Sequence, residues 1–407
     1  MGPFHRTARE GQPLADVESR VISPRGNALP GVNNAHTPRR RGRHHGYQRF
    51  WEWLLLALLA LCIVASFVRF HSHVKELEAQ RLRPSAPIDV VGVSLKPSCV
   101  TRQAVASLNL HLKPRIIHVV TTNADKCKIY ASFAPNVVCH LQDDFLDGLT
   151  VERVGQYIQH SLGLDQHKHF KGRELSGWYM QQFLKLGSAL ALPGLSDHYL
   201  VWDLDMILLS PVQLLWPDPS APAASDASDP AASEAPVVQT LVNVGGSIAP
   251  GYMATFRRLM RRSVEFAPDG SSFVTHWMVV YKPYLLEFLR ELSAGEGRLG
   301  WVWRILAAVE PSSADLGFSE YASYISWVRQ RYPGSQRLAS RKTWVRHPFG
   351  QATVRLLRLL RADRCCCPSA WLLRMLRALG FVYTGYEVGH IDECRYSAPE
   401  YGTAYGL

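Results

Sequence analysis

From residue 115 to residue 209, short apolar runs alternate with stretches of helical spacing, and few folds tolerate that order. Arg115–Asn123 reads RIIHVVTTN. Two β-branched pairs flank His118 before a polar stop, the pattern of a parallel strand buried on both faces. Val137–Leu141 is a second short strand, followed by the acidic turn QDDFLDG. Residues 151–162 and 173–192 have helical spacing, and the second stretch ends before Pro193-Gly194. His198–Leu209, HYLVWDLDMILL, reads as a strand that carries two acids and then continues apolar. Helices alternating with apolar strands predict an α/β body with a mostly parallel sheet flanked by helices.

The two acids are Asp203 and Asp205. Carboxylates at i and i+2 near the end of a strand point the same way, and together they can hold one cation and a ribose hydroxyl. An Asp-x-Asp falls by chance about once in 400 residues, so the tripeptide alone says little. Its surroundings say more. Two acids inside HYLVWDLDMILLSP are costly in a buried strand unless they bind something.

The rest of the body continues in kind. Residues 217–236, PDPSAPAASDASDPAASEAP, are low in complexity and cannot build a core, so they read as a surface insertion. After them come the apolar VVQTLVNV and SFVTHWMVVY, a helix over 283–292, and FSEYASYISWVRQRYP. From 353 to 364, TVRLLRLLRADR sets Arg355, Arg358, Arg361 and Arg364 on one helical face, which reads as a solvated or membrane-surface face.

Charge and cysteines bound the function classes. The net charge of +11 comes from the first fifty residues and from a late block over 337–377; residues 51–336 sum to −1. A nucleic-acid binder needs a basic face on its folded body, and this body has none in its composition. The eight cysteines include no CxxC pair and no His/Cys ligand spacing, which argues against a zinc site. In an oxidising lumen they would allow one or two disulfides.

Residues 53–68, WLLLALLALCIVASFV, are sixteen in number without a charge. With Trp51 and Phe70 the run reaches about twenty, enough to cross ~30 Å of hydrocarbon. Arg39, Arg40, Arg41, Arg43 and Arg49 precede it, against Arg69 and Lys75 close after it. That bias predicts a cytosolic N-terminus and a lumenal body. A cleaved signal peptide fits poorly, because the run starts fifty residues in. A core helix fits poorly, because the run has no polar stripe.

Four blocks, GWYMQQFLKLGSAL, DHYLVWDLDMILLSP, SFVTHWMVVYKPYLLEFL and FSEYASYISWVRQRYP, stand in this order over residues 176–333. In that order they resemble a family of GT-A-fold nucleotide-diphospho-sugar transferases found in bacteria, algae and related eukaryotes. The strand at 115–123 and the acidic turn at 143–147 extend the likeness toward the start. The resemblance implies a Rossmann-like GT-A sheet and a sugar nucleotide as donor. Thr121 and Thr122 would lie near the nucleotide base. Asp203 would face the ribose or a metal, and Asp205 the metal and diphosphate. Mn2+ or Mg2+ would neutralise the departing diphosphate. Gln181, Gln182 and Lys185 match the family's WxxQQxxKL helix, Lys185 against phosphate and the glutamines against donor hydroxyls. The bland reading is a helix that merely packs.

His276 stands where related transferases place acceptor-side or donor-side polar groups, although a lone His before an apolar run is commonly a core residue. Glu320 follows Ser319, a natural N-cap, so it reads either as helix-start electrostatics or as the base that deprotonates an acceptor. Tyr321 and Tyr324 line an acceptor groove or pack. A late histidine, His390 or less favourably His347, would complete the metal set. The long insertion and the run Cys365-Cys366-Cys367 depart from the family.

The expected organisation is a disordered basic tail over 1–50, a transmembrane anchor over 51–70, a stem over 71–110, a GT-A domain over 111–395 and a short tail over 396–407. The expected activity is transfer of a hexosyl or pentosyl group to a hydroxyl of a glycan, protein or lipid in the Golgi or a related lumen, with no nucleic-acid partner. The alternative is a membrane-tethered protein that binds a sugar nucleotide or glycan without chemistry.

Overall fold

The computed structural model describes residues 51, 53–58, 60, 61, 64, 88–165, 169–170, 173–217, 238–340, 342–346, 363–364 and 367–386. The chain divides into two units, residues 1–60 and residues 61–407. In the apolar run, the described residues are helical and exposed. Among the described residues no helix is long and apolar enough to cross a membrane. Half of the expected anchor, and residues 71–87 of the expected stem, lie outside them.

The body is built on β1 (Asp89–Val93), whose five residues are all buried. It is followed by α1 (Cys99–His111), β2 (Ile117–Thr121), α2 (Ala124–Ala131) and β3 (Val137–Leu141). Next come α3 (Gln142–Phe145), α4 (Val151–Leu162), the two-residue strands β4 (His169–Phe170) and β5 (Arg173–Glu174), and α5 (Leu175–Ala191). The chain then returns as β6 (His198–Trp202). The sheet order is β10-β6-β1-β2-β3, where β10 is Trp277–Tyr281. The strands β6, β1, β2 and β3 are parallel, and β10 closes the edge antiparallel.

β1, β2 and β3 follow one another outward in one direction, while β6 lies on the other side of β1. The connections therefore diverge between β1 and β6. In open α/β sheets that divergence leaves a crevice outside the carboxyl ends of the strands, and ligands bind there. One face of the sheet is covered by α1, whose Val105 and Leu108 meet Val90, Ile117 and Val119. The other is covered by α5, whose Phe183 and Leu184 meet Val91, Val120 and Val201.

Helix starts follow local chemistry. Ser98 caps α1 and makes a reciprocal capping box with Thr101. Asn123 caps α2, and Ser319 caps α9 (Glu320–Arg331). The later part adds β7 (Met206–Leu208), β8 (Leu215–Pro217), β9 (Val238–Val242), α6 (Pro250–Met260), α7 (Lys282–Ser293) and α8 (Gly300–Ala308). Then come α9, β11 (Gln336–Leu338), β12 (Trp344–Arg346) and α10 (Ala370–Ala378). Two small sheets, β11-β9-β8 and one joining β12, the strand Tyr383–Gly385 and β7, flank the main sheet.

Two differences from the sequence reading stand out. β1 and α1 fall in the range read as stem, yet β1 is the middle strand of the sheet. A five-residue run buried on both faces shows no alternation, and the prolines before it gave it the look of an extended linker. The stretch HYLVWDLDMILL is not one strand either. β6 stops at Trp202, residues 203–205 form a turn closed by Met206 N–H to Asp203 C=O at 2.9 Å, and β7 joins a different sheet. The low-complexity insertion over 217–236 lies outside the described residues except for Pro217.

Cys127 on α2 and Cys139 on β3 form a disulfide, with Cα atoms 5.4 Å apart. Cys99 is also disulfide-bonded.

Candidate functional site

The turn that carries Asp203 and Asp205 leaves the carboxyl end of β6, beside the divergence from β1. Leu204 between them turns inward and is buried. It seats against Gly92 of β1, where an added Cβ would come 2.6 Å from Leu204 Cγ. The absence of a side chain at 92 is what lets the acid-bearing turn lie this close to the strand.

Asp203 sits at the centre of a polar cluster. Lys185 Nζ, from the middle of α5, lies 2.5 Å from its Oδ1. Tyr321 on α9 donates its hydroxyl to the same oxygen at 2.7 Å. His276 Nδ1, just before β10, lies 3.1 Å from Oδ2. The His276 carbonyl accepts from the Asp203 N–H at 2.9 Å, so the two residues are tied twice. Lys185 also donates to Glu320 Oε1 at 2.8 Å and to the Tyr321 hydroxyl at 3.1 Å. Gln182, one residue beyond Gln181 on α5, accepts the Glu320 N–H at 3.1 Å.

Two carboxylates, Asp203 and Glu320, share the one ammonium of Lys185. Burial alone pushes the Asp203 carboxyl up, but the Lys185 ammonium and His276 reverse it and hold it well below the usual carboxylate range. Burial opposes the charge on Lys185, and Asp203 and Glu320 override it, so the ammonium is held more tightly than usual. Glu320 is raised by burial and by Asp203, with Lys185 opposing. Burial, then Asp203 and Glu320, pushes the Tyr321 hydroxyl far up, so it stays a donor.

His276 has φ +68, a left-handed backbone rare for a residue with a side chain. Trp344 presents an edge-on contact to the imidazole, ring centres 5.3 Å apart and planes at 77°. Trp344 is fixed in turn by its Nε1 hydrogen bond to Val244 C=O at 3.0 Å and by stacking on Tyr383.

The structure thus gathers Gln182, Lys185, Asp203, His276 and Glu320 of the residues read from the sequence. Gln181 ties α5 to the end of β1 through Val93 C=O at 3.3 Å. Thr121 and Thr122 end the neighbouring β2; Thr121 is fully buried with its hydroxyl unpartnered, and Thr122 accepts from Lys126 Nζ at 2.6 Å. Asp205 follows in the turn; its carbonyl accepts from Tyr386 N–H at 2.8 Å, and its charge helps raise Tyr321. Glu320 is 1% exposed, with its carboxylate on Lys185. That is the position of a counter-charge; a base must come within hydrogen-bond reach of an acceptor hydroxyl. Lys185, whose ammonium is enclosed by Asp203, Glu320 and Tyr321, is likewise not turned to a phosphate. His347 and His390 lie outside the described residues.

The donor set decides whether these residues suit a divalent ion. Both Asp203 oxygens are already occupied, Oδ1 by Lys185 and the Tyr321 hydroxyl and Oδ2 by the His276 ring. Among the described residues no group of three His, Cys, Asp or Glu converges as metal ligands. The described residues by themselves do not make a metal centre.

Two contributors were not singled out by the sequence reading. Trp344 has no polar signature, and Gly92 reads as one glycine among 29. Tyr321, expected to line an acceptor groove or pack, instead donates its hydroxyl to Asp203.

No protein-family model matches the chain, and no curated protein matches it. Among solved structures, the chain is similar to the apo form of mouse xyloside xylosyltransferase 1. That match has 10% identity and a TM-score of 0.35, and covers 74% of this chain and 98% of that one. It is similar to the galactosyltransferase LgtC in complex with donor and acceptor sugar analogues, at 10% identity and TM-score 0.35 over 77% and 94% of the two chains. A third match is the PaToxG glycosyltransferase, at 11% identity and TM-score 0.28 over 83% and 93%. Likeness at this level carries no argument about activity, which has to come from the site.

Proposed function

We propose that this chain is a glycosyltransferase that moves a sugar from a nucleoside diphosphate sugar to a hydroxyl of a glycan, protein or lipid. One observation carries the reading. Each of four separated sequence blocks sends a polar side chain to a single point, with Lys185, Asp203, His276 and the pair Glu320 and Tyr321 meeting at the carboxyl end of β6. A purely structural set of blocks has no need to converge on one acid at the crevice where doubly wound sheets bind nucleotides.

In this reading the nucleotide base lies near the end of β2, at Thr121 and Thr122, and Gln181 holds the end of β1 beside it. The cluster fixes the floor on which the anomeric carbon is placed. Positioning of this kind is worth several kcal/mol of barrier. A divalent ion, Mn2+ or Mg2+, would supply charge for the departing diphosphate. Asp205 and a late histidine such as His390 are the residues that would hold it.

The chain is proposed to be anchored by its apolar run over 51–70, with the N-terminus cytosolic and the body in the Golgi or another secretory lumen. The arginine-rich flank and the disulfide of Cys127 with Cys139 support that side.

The test uses the full-length chain in detergent, offered a panel of nucleoside diphosphate sugars with Mn2+, and reads release of nucleoside diphosphate. Turnover with at least one donor, reduced about 100-fold or more in Asp205→Ala, is the expected result. Donor binding without turnover on any acceptor or water favours the non-catalytic binding reading. Full turnover in Asp205→Ala removes the site assignment.

A further inference from the structure

We infer that the outer face of α10 lies against a phospholipid bilayer, with Trp371 in the headgroup layer and Arg374 and Arg377 on the headgroup phosphates. The inference is independent of the glycosyl-transfer reading, because this face takes no part in the cluster around Asp203.

α10 divides its surface three ways. Leu372, Leu373 and Leu376 are buried and join the core of Ile207 and Leu209, which holds the helix to the body. Trp371, Met375 and Leu379 follow one another at i, i+4 and i+8 and form a second row. Trp371 is 48% exposed and Leu379 39%, while Met375 is half-buried. Arg374 and Arg377, both exposed, stand on the other side of Trp371.

An exposed indole is out of keeping with the rest of the body. Every other tryptophan described beyond residue 60 is buried or half-buried. A large apolar ring left in water marks an interaction site when it belongs to a patch. An indole, with an apolar body and one polar N–H, is best accommodated at a membrane–water interface.

Charge argues for lipid over another protein. Arg374 Nε turns back to the Ala370 carbonyl at 3.3 Å, and among the described residues no carboxylate pairs with either arginine. The block around them, residues 337–377, holds ten Lys and Arg against the single acid Asp363. A bilayer offers phosphate oxygens along a whole surface, and guanidinium groups bind them in bidentate fashion. Trp and Leu on one side of a helix with arginines on the other is the pattern of a helix lying in the plane of a membrane. It serves on either side of the bilayer, since phosphates line both leaflets. The face needs no help from the apolar run over 51–70; where that run also enters the bilayer, it raises the effective concentration of the second contact.

The test needs no turnover, so its failure is separate from failure of the glycosyl-transfer reading. The full-length chain is placed in nanodiscs of phosphatidylcholine and phosphatidylserine, one chain per disc, and footprinted with hydroxyl radicals. Mass spectrometry reads oxidation of Trp371 and Met375. Phe266, a ring 38% exposed after α6, is the reference within each sample. Trp371 relative to Phe266 should be oxidised at least about fivefold more slowly in wild type than in Arg374→Glu/Arg377→Glu, whose reversed charges repel the headgroup phosphates. Equal rates in the two chains, or a chain recovered free of the discs, overturn the inference. Protection that appears only with two chains per disc also overturns it and identifies a second copy as the partner. Should the double variant fail to fold, the wild type decides alone: Trp371 must be oxidised more slowly than Phe266 in spite of its greater exposure, and a faster rate overturns the inference.

Discussion

Lys185 Nζ lies 2.5 Å from Asp203 Oδ1, and both side chains are withdrawn from solvent, at 4% and 16% exposure. The ammonium comes from the middle of a helix on one face of the sheet, and the carboxylate from the turn just beyond β6. The pair therefore clamps α5 to the end of the strand that carries the acids. Glu320 adds a second carboxylate to the same ammonium.

Removing that ammonium should be severe. Lys185→Met leaves two buried carboxylates around an apolar side chain, and breaking a buried pair in this way costs about 3–5 kcal/mol. Adding Glu320→Gln to Lys185→Met should recover part of the loss, because the second carboxylate is then neutral. Urea unfolding of the two single variants and the double variant measures the coupling. Strictly additive losses would mean that the two side chains do not share one electrostatic unit.

A second pair sets an acid limit. His118 and His140 sit side by side on β2 and β3, with Nδ1 to Nε2 at 3.0 Å. Burial, then the neighbouring His140, pushes the His118 ring down to about 4, with Asp89 opposing and Arg115 adding to the fall. The unfolded ring titrates near 6.5, so between about 6.5 and 4 the unfolded chain holds a proton that the native chain refuses. The stability contributed by the neutral ring is complete above about pH 6.5 and falls away as the pH drops toward 4, on the order of 3 kcal/mol in all. Urea midpoints from pH 7 to pH 4 should fall along this course in wild type and more shallowly in His118→Gln. Equal slopes would place the acid sensitivity elsewhere.

Much of the architecture was legible because it follows from short-range patterns. Strand Val137–Leu141 and helix Val151–Leu162 have the boundaries that their periodicity and caps imply. Glu320 and His276 stand out in the sequence by their chemistry, and both meet the cluster around Asp203. What periodicity could not show is long-range. β1 is buried by strands and helices far along the chain, and its own residues look like a linker. The partners of Asp203 are equally distant: its N–H bonds to the carbonyl of His276, 73 positions later and just before β10. The family resemblance sets Lys185 against phosphate, and its two carboxylate partners, Asp203 and Glu320, are too distant in sequence for local pattern to show. The roles of Gly92 and Trp344 are steric, and neither leaves a compositional trace.

The disulfide between Cys127 and Cys139 should matter for stability more than for the site. It spans twelve positions and joins α2 to β3 at the far edge of the sheet. Closing a loop of this size is worth about 2–4 kcal/mol, much of it by restricting the unfolded chain. Cys127→Ala with Cys139→Ala should lower the urea midpoint accordingly while leaving donor affinity within about twofold. A large loss of donor affinity would show that the α2 edge reports directly to the crevice.

The close approach of Gly92 and Leu204 gives the most local test of how the fold positions its acids. A Cβ at 92 would stand 2.6 Å from Leu204 Cγ and 2.8 Å from Cδ1, closer than such atoms approach. Leu204 has little freedom to retreat, since it is 2% exposed within the core beneath β1 and β6. Gly92→Ala should therefore cost about 1–3 kcal/mol by overpacking. It should also displace the turn, so that donor affinity falls together with stability. Gly92→Ala combined with Leu204→Ala relieves the clash and should bind donor better than Gly92→Ala alone, even though Leu204→Ala by itself leaves a cavity worth about 2–5 kcal/mol. Thermal unfolding and donor titration on the three variants separate the two effects. If the double variant binds no better than Gly92→Ala, the turn is held by Asp203 and its partners alone, and the glycine is incidental.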